Sequence, residues 1–225
     1  MRVEIYLIRH GLTSSNEQHR YLGRRTDEEL SDKGVQEVLS KRKKMVYEDN
    51  ISSDFWFYGP MRRCTQTFEI LFGDLINDCN LQKISIPEWK EIDFGKFEQK
   101  NYIELSKDEE YQNWIDSGGT LPFPDGEDRG SFIERSYDGF VRMVDYIRKF
   151  SCIEEDTIKE HRNGRNMVRA MAVLHGGNIM SIMYKLLGGD YYDYQVKNLE
   201  GYRILAAISE DVSEQIKIIE VEKIK

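Results

Sequence analysis

Short apolar runs alternate with longer amphipathic stretches along this chain. The runs Val3–Ile8, Phe55–Tyr58 and Met167–Leu174 have the length and composition of buried strands. Weaker strand patterns cover three further segments, Gln82–Ile86, Tyr202–Ile208 and Gln215–Val221. The last of these alternates in the way expected of an edge strand.

Helical periodicity fills most of the chain between these runs. It predicts four helices, over Asp32–Val46, Met61–Phe72, Phe132–Phe150 and Asn178–Leu187. Ser31 is a candidate N-cap for the first of them, and Leu39 belongs to its expected apolar face. Gly73 is a typical stop for the second. Strands that alternate with helices predict an α/β fold with a mostly parallel sheet.

The segment from Pro87 to Arg129 has a different character. It is rich in loops, with a helix expected around Lys107–Asp116 before Pro122. We interpret residues 87–129 as a lid-like insertion over one end of the sheet, and residues 1–225 as a single domain.

The balance of charge limits the partners of the protein. Asp and Glu number 40 against 32 Lys and Arg, which gives a net charge of −8. Nucleic acid and membrane surfaces require a basic field, so neither is an expected partner. The 3 cysteines, Cys64, Cys79 and Cys152, include no CxxC pair, and no segment is apolar enough to span a bilayer, so a cytoplasmic location is expected. An anionic ligand would need a local cationic pocket.

Such a pocket is expected where three apolar strands each meet a helix through a tight turn. The turns are Arg9-His10-Gly11, Gly59–Arg63 and His175-Gly176-Gly177. Because parallel strands end at one edge of a sheet, the arginines and histidines should converge there beside helix N-termini. This set suits a tetrahedral dianion. Neutral imidazole can attack phosphorus, and adjacent arginines disfavour imidazolium and bind the phosphoryl oxygens.

These residues match a known pattern. Leu7–Asn16 (LIRHGLTSSN) resembles the RHGxTxxN signature of the histidine phosphatase superfamily, in its phosphoglycerate-mutase-like branch. Further motifs follow in the order of that family: Arg20–Gly34, Gly59–Thr67, Glu91–Gly95, Pro124–Glu127 and His175–Gly177. The resemblance covers nearly the whole chain. It implies a three-layer α/β/α sandwich around a mostly parallel sheet, without a metal or cofactor.

The resemblance also implies roles for individual residues. His10 would be the nucleophile that forms a phosphohistidine, and Glu91 the general acid and then the general base. The phosphoryl group would be held by Arg9, Asn16, Arg63 and His175. Substrate-side residues would be Arg20, Gly23, Glu127 and Asn178. Only the motif register separates Arg63 from Arg62. Five positions depart from the pattern: Leu12 where many members have glutamate, Gly59 for serine, Cys64 for alanine, Gln99 for glycine and Asp128 for serine.

Three functions remain open. The favoured one is a phosphatase of a small phosphorylated metabolite, similar to alpha-ribazole and broad-specificity phosphatases, because the acidic 87–129 segment argues for a large or weakly anionic alcohol. The others are a mutase of the phosphoglycerate type and a non-catalytic phosphate-binding relative. A zinc enzyme is disfavoured because the HExxH pattern is absent from the sequence. The cluster Tyr191–Tyr194 could line a substrate mouth or an oligomer contact, and the oligomeric state is left open.

Overall fold

The apolar runs pair into one sheet in the computed structural model, which describes residues 1–48, 52–76, 83–153, 167–209 and 216–225. These residues form a six-stranded sheet in the order β3-β2-β4-β1-β5-β6. Its strands are β1 Arg2–Arg9, β2 Phe55–Tyr58, β3 Lys83–Ser85, β4 Val168–Leu174, β5 Gly201–Ala207 and β6 Lys217–Ile224. Strands β1 to β4 pair in parallel, and only β5 opposes its neighbours. The predicted edge strand is confirmed, whereas Gln82, Gln215 and Cys79 lie outside the described residues.

The predicted helices are present, with ends that differ from the prediction by a few residues. They are α1 Ser14–Glu17, α2 Asp32–Arg42, α3 Arg62–Phe72, α4 Tyr102–Leu105, α5 Glu109–Asp116, α6 Arg129–Ile153 and α7 Gly176–Leu187. The Ser31 hydroxyl accepts from the Gly34 amide, so the predicted N-cap of α2 is confirmed. Leu39 is 44% exposed, and its assignment to the apolar face was wrong because the neighbouring Val38 takes the buried position.

Apolar side chains fill both sides of the sheet. On one face, Ile5 and Leu7 of β1 pack with Phe140 of α6 and Ile179 of α7. On the other face, the buried residues include Ile8 of β1, Val38 of α2 and Phe68 of α3. Alternate residues of one strand therefore serve two cores, which makes the three layers expected of the fold. No helix among the described residues is long and apolar enough to cross a membrane.

Residues 87–129 carry a small aromatic core of their own. Phe97, Tyr111 and Phe123 are buried there together with Phe132 at the start of α6. The rings of Trp114 and Phe123 stack with their centroids 4.9 Å apart. The short helix α4 escaped prediction, although Asn101 and Glu104 form a capping box at its start. This core gives the segment a fixed shape beside the sheet.

Candidate active site

The turns after β1, β2 and β4 meet at the carboxyl edge of the sheet, as the parallel topology requires. His10 follows β1 and His175 follows β4, and their ring centroids are 5.1 Å apart in an edge-on arrangement. Both rings are buried, with 3% and 0% of their surface exposed. Two histidines that lie far apart in sequence are therefore in contact inside the protein.

The hydrogen bond of His10 decides its tautomer. Nδ1 lies 2.7 Å from the carbonyl oxygen of Gly11, which can only accept. Nδ1 must therefore carry the proton, and Nε2 keeps the lone pair. Burial and the charges of Arg63 and Arg9 hold the pKa of His10 well below its ordinary value. The neutral ring thus keeps a lone pair at Nε2 that can act as a nucleophile.

His175 has the opposite tautomer. The Arg63 Nε donates to His175 Nδ1 across 3.2 Å, and a guanidinium has no lone pair to accept with. Since burial and nearby cations also hold the pKa of His175 well below its ordinary value, the neutral ring carries its proton on Nε2. His175 can therefore donate a hydrogen bond from Nε2, the ring nitrogen that carries the lone pair in His10.

The structure also separates the two adjacent arginines. Arg63 is fully buried, and its other nitrogens donate to the carbonyl oxygens of Thr26 and Gly23 at 3.1 and 3.2 Å. Arg62 points to solvent and pairs with Glu29. Of the two arginines, Arg63, which the motif register favours, is therefore the one that lies beside the histidines.

Arg9 is the second cation of the site. One terminal nitrogen donates to the Val196 carbonyl oxygen at 2.8 Å. Its Nε is buried and has no hydrogen-bond partner among the described residues. A buried donor without a partner costs free energy that a bound anion would recover. Arg9 and Arg63 thus provide a binding place for an oxyanion.

The turn between β1 and α1 is held from several sides. The Gly11 amide donates to Thr67 Oγ1 at 2.8 Å, which ties this turn to α3. The Asn198 side-chain amide donates to the His10 carbonyl at 3.0 Å and to Asn16 Oδ1 at 3.2 Å. Because its oxygen is engaged in this way, Asn16 keeps its NH2 group available for a ligand. Asn198 lies in no motif, and no signal in the sequence marks it.

Glu91 lies at 8% exposure beside these groups. Burial raises its pKa, although the amides of Ile92 and Gly177 and the charges of Arg63 and Arg9 act in the other direction. Gly177 is essential to this placement, since a Cβ there would lie 2.4 Å from Glu91 Oε1. A carboxyl with a raised pKa is suited to proton donation near neutral pH.

Arg135 of α6 holds the backbone that carries Glu91. Its terminal nitrogens donate to the carbonyl oxygens of Lys90 at 2.9 Å and Glu91 at 3.4 Å, and also to that of Glu88. Its Nε and one terminal nitrogen form a bidentate pair with Glu127 at 3.0 and 2.9 Å. Glu127 was expected to face the substrate, but its carboxylate is engaged by this clamp. Arg135 was missed, because nothing in its local sequence distinguishes it from other helix arginines.

The other residues predicted to lie on the substrate side, Arg20, Asn178 and Gly23, have different surroundings. Arg20 lines an open groove beside Asn16, with its charge paired to Glu104 at 2.8 Å. Asn178 is fully buried, and its amide donates to Ser136 Oγ and to the Lys90 carbonyl, so it supports the backbone before Glu91. The Gly23 carbonyl accepts from Arg63, and a Cβ at Gly23 would lie 2.4 Å from both Glu98 and Ile92. It therefore belongs to the support of Arg63.

Two departures from the family pattern have structural explanations. Cys64 Sγ lies 3.4 Å from His175 Nε2 and can accept a weak hydrogen bond from it, which an alanine could not do, and burial keeps the thiol neutral by raising its pKa. Gln99 has a φ of 62°, which is the left-handed region that glycine adopts without strain. Its side chain accepts from Ser15 Oγ at 3.2 Å, which offsets part of that cost.

Two cavities meet at Arg9 and Glu91. One is a groove of about 940 Å³ with a basic rim, lined among others by Asn16, Arg20, Lys33, Lys197 and Lys223. The other has about 250 Å³ and an aromatic wall, formed by Tyr21, Phe94, Trp114, Phe123, Tyr191 and Tyr192. We call these the basic groove and the aromatic cavity. Within the described residues, no cluster of three or more His, Cys, Asp and Glu side chains suits a metal ion.

Most of the chain matches one family of known proteins. The family model described as histidine phosphatase superfamily (branch 1) matches residues 5–205. A probable phosphoglycerate mutase of Escherichia fergusonii is 27% identical over 150 residues, which are 64% of this chain and 64% of that protein. The chain thus spans just under two thirds of this relative.

Solved structures extend the likeness of fold over the whole chain. An alpha-ribazole phosphatase from Shigella flexneri superposes with a TM-score of 0.69 at 20% identity, over 97% of this chain and 95% of that one. A phosphoserine phosphatase from Entamoeba histolytica, in complex with 3-phosphoglyceric acid, has a TM-score of 0.64 at 21% identity and covers 91% and 90%. At these identities the likeness establishes the fold alone.

Proposed function

Since the chain belongs to branch 1 of the histidine phosphatase superfamily, we propose that it hydrolyses phosphate monoesters of small molecules through a phosphohistidine at His10. The observation that carries this proposal is the pair of opposite tautomers. His10 offers a lone pair at Nε2, and His175, 5.1 Å away between ring centroids, offers a proton. A nucleophile and an oxyanion donor are what phosphoryl transfer to nitrogen requires.

In the first step His10 Nε2 forms a bond to phosphorus while the bond from phosphorus to the ester oxygen breaks. Arg9, Arg63 and His175 stabilise the charge on the phosphoryl oxygens, with Asn16 beside them. The carboxylic acid of Glu91 gives its proton to the leaving oxygen. In the second step a water oxygen attacks phosphorus as Glu91 takes a proton from it, and the electron pair of the N–P bond returns to His10.

The test combines product release with trapping of the intermediate. A panel of phosphorylated metabolites that includes alpha-ribazole phosphate, phosphoserine and 3-phosphoglycerate should yield inorganic phosphate from at least one ester. Rapid quenching should trap an acid-labile phosphoryl group on His10, and His10→Gln should show neither signal. Full turnover in His10→Gln, or no phosphate from any ester, would refute the proposal.

Phosphoryl transfer of the mutase type is the second candidate. It is supported by the relative described as a probable phosphoglycerate mutase and by the basic groove, where Lys33, Lys197 and Lys223 could hold a second anionic group. Incubation with 3-phosphoglycerate distinguishes the two functions. An isomeric phosphoglycerate without free phosphate would identify a mutase.

A further inference from the structure

The aromatic cavity opens on the side of the proposed proton donor. Gly176, Gly177 and Phe132 line it together with Glu91. A Cβ on Gly177 would touch both Glu91 Oε1 and the Phe132 ring, at 2.4 and 2.9 Å, so the carboxyl lies against this wall. A leaving oxygen must lie within hydrogen-bond reach of that carboxyl. Glu91 lines both cavities, so the alcohol attached to that oxygen can extend into the aromatic cavity, and the wall of that cavity decides which alcohols gain from binding there.

The wall of this cavity is apolar and built from distant parts of the chain. Tyr21 packs on Phe94 with ring centroids 5.1 Å apart, and Trp114 stacks on Phe123. From the loop after α7, Tyr191 and Tyr192 complete the wall, with their centroids 5.3 Å apart. Aromatic rings of this kind gain most from flat apolar groups, which bury a large area against them. A short polar alcohol such as glycerol would leave the wall unused.

Arg129 brings a positive charge to this apolar wall. Its guanidinium carbon lies 5.5 Å from the centroid of Tyr191 and 6.0 Å from that of Tyr192, so two rings hold it in place. Its hydrogen bond to the Gly118 carbonyl is long, at 3.4 Å. Across the part of the chain that the structure describes, no carboxylate forms an ion pair with it. An oriented guanidinium without a counter-charge can bind an anion, and its planar pair of N–H donors fits the two oxygens of a carboxylate.

On these grounds, and on the proposed function, we propose that the substrate is the phosphate ester of a ring-bearing apolar alcohol that also carries a carboxylate. The ring lies in the aromatic cavity and the carboxylate pairs with Arg129. The phosphate and the carboxylate then occupy opposite ends of one substrate, at Arg9 and Arg129. This assigns Arg129 as a specificity-determining residue, and assigns Tyr191 and Tyr192 of the tyrosine cluster to the substrate mouth.

Matched esters test the two parts of the proposal separately. Benzyl phosphate and ethyl phosphate both release an alkyl alcohol, and 4-carboxybenzyl phosphate adds the anion. We expect kcat/KM to rise from ethyl to benzyl phosphate, and to rise about tenfold again with the carboxylate, the gain of a charge-assisted pair of roughly 1.4 kcal/mol. Arg129→Gln should remove the second gain, and Tyr192→Ala should reduce the first.

The controls separate this proposal from the proposed function. Arg2→Gln removes an exposed arginine at the opposite end of β1 and should keep the preference for the carboxylate. Equal rates for benzyl and 4-carboxybenzyl phosphate, or a carboxylate preference that survives Arg129→Gln, would overturn the role of Arg129 while phosphatase activity stands. Faster hydrolysis of ethyl than benzyl phosphate would overturn the role of the aromatic cavity. Failure of all esters would instead count against the proposed function.

Discussion

Arg63 donates from Nε to Nδ1 of His175 across 3.2 Å, and this contact determines which nitrogen of His175 carries the proton. The same guanidinium is anchored by the carbonyl oxygens of Thr26 and Gly23, so its position does not depend on a carboxylate partner. In the proposed mechanism the guanidinium of Arg63 would therefore bind a phosphoryl oxygen, and it would orient His175 as a donor toward the same group.

Replacement of Arg63 should remove both effects together. We expect Arg63→Gln to lower kcat/KM for a phosphate ester by about 10²- to 10³-fold, as the loss of an oxyanion donor does. Arg62→Gln is the matched control, since Arg62 is the preceding residue and pairs with Glu29 at the surface. Its kcat/KM should stay within about twofold of wild type, because surface ion pairs contribute little. A larger loss in Arg62→Gln would mean that the arginines are assigned in reverse.

The groups at the strand ends could be predicted from sequence because their positions follow from topology. Arg9 is the last residue of β1, His10 and His175 come directly after β1 and β4, and parallel strands end at one edge of the sheet. The choice of Arg63 over Arg62 came from the motif register alone, and in the structure helix α3 turns Arg63 inward beside Cys64. At the strand ends, the local sequence pattern is therefore enough to predict where a residue lies in the fold.

Residues that act through backbone atoms could not be predicted in this way. Asn198 binds the His10 carbonyl and Arg135 binds the Glu91 carbonyl, but a carbonyl oxygen exists at every position and leaves no mark in the sequence. The aromatic cavity is similar, because Tyr21, Trp114 and Tyr192 come together only through the packing of the 87–129 segment on the loop after α7. The pairing of Glu127 with Arg135 could not be predicted either, since Arg135 lies eight residues further along the chain, on α6.

The raised pKa of Glu91 predicts how activity depends on pH and on the leaving group. A general acid must be protonated, so kcat/KM for benzyl phosphate should fall as pH rises through that pKa. Glu91→Gln should lose this alkaline limb and about 10²- to 10⁴-fold in rate. With 4-nitrophenyl phosphate the loss should be much smaller, because nitrophenolate leaves without a proton. Equal losses with both esters would exclude Glu91 as the acid.

The raised pKa of Glu91 also makes the stability of the folded protein depend on pH. Because burial raises the pKa of Glu91 in the folded state, ionisation opposes folding. The cost is absent below the unfolded pKa of about 4.3 and is complete above the raised folded value. Glu91→Gln, which can still accept from the Ile92 amide, should therefore have a higher Tm than wild type at pH 8 and an equal one at pH 4. A Tm difference independent of pH would contradict this account.

Arg135 is expected to act on the reaction through Glu91 rather than on the substrate. Arg135→Gln should lower kcat more than it raises KM, and the loss should be larger for benzyl phosphate than for 4-nitrophenyl phosphate. In a Glu91→Gln background the same substitution should add little, because residues that work as a unit are not additive. Lys149→Gln, an exposed change on the same helix, is the control. An effect equal for both esters would indicate a general structural role.

Gly177 tests the position of Glu91 without changing any polar group. Its second place in α7 allows a helical Ala, which is favoured over Gly by about 1 kcal/mol within a helix. However, the added Cβ would lie 2.4 Å from Glu91 Oε1 and must displace that carboxyl. We expect Gly177→Ala to lower kcat for benzyl phosphate by about 10²-fold, the cost of a displacement near 1 Å, while circular dichroism reports a folded protein. Gly130→Ala in the first turn of α6, whose Cβ would meet only Asp128 at 3.1 Å, should keep its activity. An active Gly177→Ala enzyme would show that Glu91 does not need the position it has here.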